Sequence, residues 1–152
     1  MLKSILDLLE GRAAAGQPAD PRAVELATAA LLVEVVHAAR EVQPAEQDVL
    51  RRAVHEKFGL DRADADALLR DAEERMRQAT DYYQYTSLIN ANFTQQQKQK
   101  VIELMWRVAY ADDVLSAQEQ HLIRKIAGLL HVPDGEYIAA KLRAKEDAER
   151  AR

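Results

Sequence analysis

The sequence contains no cysteine. Disulfides, thiolate metal sites, iron–sulfur clusters and cysteine nucleophiles are therefore excluded. Its five glycines are scattered, so no glycine-rich loop exists to cradle a phosphate. No serine or lysine stands in a known nucleophile motif. No apolar run approaches the roughly 20 residues of a membrane-spanning helix. Basic residues form no stripe with interleaved aromatics, which argues against a nucleic-acid partner. The first ten residues, Met1 to Glu10, are apolar in a helical pattern broken by Asp7. They lack a continuous signal-peptide core and a cleavage site, and the chain reads as cytoplasmic.

What is present is helical periodicity. The 152 residues carry a net charge of −4 with both signs interspersed, an ordinary soluble surface. A chain of this length is most simply one domain, able to bury roughly 70% of its extended surface. Apolar residues recur at helical spacing, and no segment alternates as a strand does. Residues 1–20 read as an N-terminal helix and a flexible connection, with Gly16 and Pro18 in the latter. Residues 21–152 read as the main helical domain. Asp20-Pro21 starts one helix, and Gln43-Pro44 the next, which Gly59 ends. Asp61 caps another, and Asp81 begins a tyrosine-rich one. Thr94 with Gln97, and Ser116 with Glu119, are capping boxes. A last helix carries Tyr137, Ile138 and Leu142 and is expected to fray over 145–150. The fold class predicted is all-α, with seven to eight helices.

A segment also appears twice. Leu31 to Glu46 aligns without gaps on Leu104 to Glu119, roughly 73 positions later, each copy reading as helix, loop, helix. The duplicate predicts two antiparallel hairpins about a pseudo-twofold axis around one core. Leu32, Val35, Leu104, Met105, Val108, Leu122 and Ile126 are expected to be buried together.

The loop of the second copy gathers Asp112 and Asp113, with Glu119 one turn into the next helix. Several hard oxygens close together suit Ca²⁺ or another divalent cation. The same residues serve equally as turn formers and, for Glu119, as the third residue of a capping box. An EF-hand does not fit: counting back from Glu119 puts Val108 at the opening acidic position and Asp113 at the required glycine. Glu34-x-x-His37 has the spacing of a di-iron ligand pair, but the aligned Arg107 and Tyr110 supply no second pair. His55, His121 and His131 share no ligand spacing. Tyr82, Tyr83, Tyr85, Phe93 and Trp106 could line a pocket, although aromatics at helical spacing are more often core.

The stretch from Leu104 to Leu115, followed by Ser116 to Glu119, resembles the TerB-like tellurite-resistance family. That family carries twice an Ala-Asp-Gly turn with a glutamate in the next helix. Thr86 to Asn90 before Phe93, and Ile123 to Pro133 running on to Leu142, look like its stand-alone bacterial members. The resemblance implies an all-helical domain of duplicated hairpins, a cluster of acidic residues for a divalent metal, and an association with tellurite resistance and chemical stress. Residue by residue, Ala111, Asp112 and Glu119 match in the second copy, with Asp113 at the glycine. In the first copy Ala38 and Glu46 match, but Ala39 and Arg40 replace the aspartate and glycine. The metal set implied is thus Asp112, Asp113 and Glu119, with Glu46 joining if the turns meet. The function expected is a non-enzymatic module with protein partners. A metal-dependent hydrolase, or an interaction domain without ligand, are the alternatives.

Overall fold

The computed structural model describes residues 21–38, 44–78, 81–111 and 115–150. Among these residues there are seven helices and no strand: α1 Pro21–Ala38, α2 Pro44–Phe58, α3 Arg62–Gln78, α4 Tyr83–Asn92, α5 Gln95–Ala109, α6 Ala117–Leu129 and α7 Asp134–Arg150. None is long and apolar enough to cross a membrane. The expected helix within residues 1–20 lies outside the described residues.

Helix α1 is buried on every side, from Ala23 to Val36 with few breaks. A helix apolar all round belongs in the centre of a fold, and α1 packs against α2, α3, α4, α5 and α6. Helix α7 lies mainly along α5. All seven predicted core residues are buried within one contiguous cluster, joined by Leu31, Ile89, Ile102, Trp106 and Ile123.

Local chemistry fixes several helix ends. The Asp61 carboxylate accepts from the Asp64 amide at 2.8 Å. The Thr94–Gln97 and Ser116–Glu119 boxes are both closed reciprocally. Gly59, at φ +66°, takes the left-handed turn after α2. After α6 the same role falls on His131, at φ 59°. Its amide donates to Gly128 O, and the Val132 amide to Ala127 O, the paired bonds of a Schellman cap. Two boundaries differ from expectation. Asp81 precedes α4 by one residue more than a cap would, its carboxylate accepting from the Tyr83 amide while Tyr82 holds the N-cap position. Helix α7 does not fray at Lys145 but continues to Arg150. Asp147 accepts from Arg107 there at 2.9 Å, and buried Ala144 packs into the core.

Candidate functional site

The second turn is built by α5 and α6. Helix α5 closes at Tyr110, whose amide donates to Trp106 O at 2.8 Å, and the Ala111 amide donates to Val108 O at 3.2 Å. Helix α6 opens on Ser116. Its hydroxyl accepts from the Glu119 amide at 3.1 Å, and its amide donates to Glu119 Oε1 at 3.0 Å. Glu119 is only 1% exposed. Its carboxylate is therefore held against the Ser116 amide at the start of α6 instead of reaching into solvent. Asp112 and Asp113, and the side chain of Glu46, lie outside the described residues. Among the described residues no three histidine or acidic side chains group as a metal site.

Two grooves lie beside the ends of α1 and α5. One, of about 650 Å³, is lined by Glu34 and Ala38 of α1 and by His121, Leu122 and Lys125 of α6, with Tyr82 beside them. The other, of about 360 Å³, is lined by Arg107 and Ala111 at the end of α5 and by Asp48, Val49 and Arg52 of α2, with α7 beside them. These two sets occupy aligned positions of the duplicated segment: Glu34 with Arg107, Ala38 with Ala111, Asp48 with His121, Val49 with Leu122, Arg52 with Lys125. The end of each copy's first helix thus sits beside the start of the other copy's second helix.

The grooves differ in charge. Glu34 accepts from the Tyr82 hydroxyl at 2.9 Å. Burial and that carboxylate together push the Tyr82 phenol up to about 12. Lys125 Nζ lies 5.4 Å from the centre of the same ring. His37 is exposed at the end of α1, so Glu34 is committed to a tyrosine rather than to a ligand pair with His37. In the other groove Arg107 donates to Glu56 and to Asp147, both at 2.9 Å. Burial works against its charge, but the hydrogen bond to Asp147 and the charge of Glu56 outweigh burial and raise its pKa further.

Also on α5, Glu103 is buried between Lys100 at 2.7 Å and Arg143 at 2.6 Å. Burial alone would favour its neutral form, yet the hydrogen bonds from Lys100 and Arg143 hold its pKa below the ordinary value. Sequence reasoning passed over Glu103 and read Arg107 only as the residue that breaks a second ligand pair. The Lys100-to-Glu103 spacing was a visible sign, whereas Arg143 and Asp147 are 40 residues away from their partners. The aromatics do not share one pocket. Trp106 stacks on Tyr110 at 5.7 Å and meets Tyr137 edge-on at 5.8 Å. Tyr85 is buried elsewhere in the core, and Tyr83 is exposed. His55 Nδ1 meets the Leu60 carbonyl, and His131 serves as the helix cap.

The class these observations define is an all-α domain whose seven described helices enclose one apolar core. The family model described as tellurite resistance protein TerB matches residues 25–142, and the chain belongs to that family. No curated protein matches the sequence. A crystal structure of a protein of unknown function from Porphyromonas gingivalis W83 is similar in fold, with a TM-score of 0.62 at 20% identity, covering 84% of this chain and 97% of that one.

Proposed function

We propose that this chain is a non-enzymatic, cytoplasmic binding module, tied like its family to tellurite resistance and chemical stress. It engages protein partners through its helical surface and takes a divalent cation weakly at the second turn. Asp112, Asp113 and Glu119 are the ligands, and water or backbone carbonyls complete the six to eight oxygens that Ca²⁺ favours. Glu46 joins only if the pseudo-twofold brings the two turns together, and Arg40 opposes a cation at the first turn. The two hairpins are a pseudo-twofold pair, a reading supported by the aligned linings of the two grooves.

The single observation behind the cation is Glu119. It is a buried carboxylate whose position is fixed at the turn by the Ser116 amide. A carboxylate offers about four acceptor positions, so capping and ligation are chemically compatible. All three side chains are the hard oxygen donors that Ca²⁺ or Mg²⁺ takes. The non-enzymatic reading is supported by how the partly buried ionisable groups are used. Glu103, Arg107 and the Glu34–Tyr82 pair tie helices together, where hydrolysis would need a base standing beside a metal in a pocket. The test is the melting temperature of the intact protein in millimolar Ca²⁺, Mg²⁺ or Mn²⁺. A rise with at least one ion is expected, since a ligand bound only by the folded state stabilises it. An unchanged melting temperature with all three removes the cation and leaves Glu119 as a capping residue.

A further inference from the structure

Helix α7 carries two stripes. Tyr137, Ala140 and Ala144 are buried. Ile138, Lys141, Leu142 and Lys145 follow at i, i+3, i+4 and i+7, the spacing of a helix-contacting seam, and this stripe faces outward. Ile138 is 51% exposed and Leu142 53%, and among the described residues Tyr83 is the one other large exposed hydrophobic. The stripe forms one wall of a groove of about 650 Å³ whose opposite wall is His121 and Arg124 of α6. Tyr110 and Tyr137 contribute aromatic surface between them.

The charge of this groove is one-sided. It is lined by Lys141, Lys145, Arg124 and His121, and by no aspartate or glutamate, in a chain whose net charge is −4. Arg124 reaches Asp134 at 3.4 Å, but both side chains are largely exposed, so that pair is weak and exchangeable. Two apolar side chains one turn apart, framed by cations in a concave channel between helices, fit a rod better than a plane.

We propose that the groove between α6 and α7 receives an acidic amphipathic helix of a partner protein. Its apolar residues pack on Ile138 and Leu142, and its carboxylates face Lys141, Lys145 and Arg124. This is helix-in-groove recognition, with anchors at i, i+3, i+4 and i+7 and charge complementarity setting the choice of partner. The inference deepens the binding-module reading and rests on it.

The test titrates the full-length protein with a labelled, tryptophan-free peptide of about 18 residues, long enough to be helical. The peptide has leucines at seam spacing and flanking glutamates. A second peptide replaces every glutamate with lysine. The acidic peptide is expected to bind at least about tenfold tighter than the basic one, and less tightly as salt rises. It should also perturb the emission of Trp106, the single tryptophan, because Lys141 Nζ lies 4.8 Å from that ring's centre. Lys141→Glu with Lys145→Glu should weaken binding about tenfold or more, and Leu142→Ser should also weaken it. Arg70→Glu, exposed on α3, should leave it unchanged, with circular dichroism confirming the fold of each variant. Absence of binding, equal binding of both peptides, or groove variants that bind like the parent would overturn the proposal. So would phosphatidylglycerol vesicles that bind in place of the peptide and are lost with the lysine reversals. A concentration-dependent dimer in sedimentation that Leu142→Ser abolishes would assign the face to a second copy and also overturn it. If the peptide fails while an ion still binds at Asp112, the groove assignment falls and the module reading stands.

Discussion

Helices α1 and α5, which carry the two copies of the duplicated segment, share a pattern of burial and differ in charge, and the difference separates what holds the fold from what is free to change. Leu31 and Leu104, at aligned positions, are both fully buried. So are the aligned Val35 and Val108. At the next aligned pair outward, Glu34 holds a tyrosine hydroxyl while Arg107 bridges two carboxylates on different helices. Packing demands similar volume in both copies. The rims need only satisfied partners, and opposite charges satisfy different neighbours.

The largest expected effect tests the shared part. Leu31→Ala and Leu104→Ala should each cost about 2–5 kcal/mol, as buried leucine truncations do, and by similar amounts. Chemical denaturation midpoints would measure both. A cost confined to one copy would break the comparison.

Next comes the asymmetric part. Glu103 is buried with its charge held by half-exposed Lys100 and Arg143. Glu103→Gln should cost about 1–2 kcal/mol, since solvent partly screens both cations. Its folded pKa is lowered from 4.5. The stability it supplies is therefore present above that value and lost as pH falls through the lower folded value. The gap between parent and variant should close in acid titration of stability. A gap that widened as pH fell would show that Glu103 folds in its protonated form.

The two capping boxes offer a finer comparison. Ser116→Ala and Thr94→Ala should each cost about 1 kcal/mol by thermal unfolding. Ser116→Ala should also loosen Glu119 and weaken the cation response, while Thr94→Ala leaves that response intact. The helix ends differ too: Gly59 takes the left-handed turn after α2, and His131 takes it after α6. His131→Gly should stabilise the protein by up to about 1 kcal/mol, because a side chain is disfavoured there. Thermal melts showing a loss would mean that the His131 imidazole makes a compensating contact.

How much was legible in the sequence followed from the range of each interaction. Asp61, Thr94 and Ser116 act on amides three residues away, so their patterns were visible. The inward faces of α1, α5 and α6 were visible as periodicity. The central position of α1 was less so, because burial on all sides depends on helices contributed later in the chain. Glu103 looked like a surface glutamate until Arg143 of α7 folded onto it. Ile138 and Leu142 read as ordinary members of an apolar pattern, and only the packing of Tyr137, Ala140 and Ala144 decides which stripe faces outward. At the second turn the capping role of Glu119 was legible and its burial was not.

The most direct measurement is a calorimetric titration of the metal-free protein with Ca²⁺, Mg²⁺ and Mn²⁺, repeated on Asp112→Asn. The account predicts weak binding of at least one ion at a single site, Ca²⁺ foremost, lost or strongly reduced in the variant. It also predicts that without an ion Asp112→Asn is neutral or stabilising, since it relieves repulsion among neighbouring carboxylates. No binding of any of the three ions, or binding unchanged by Asp112→Asn, would contradict the second turn as a cation site.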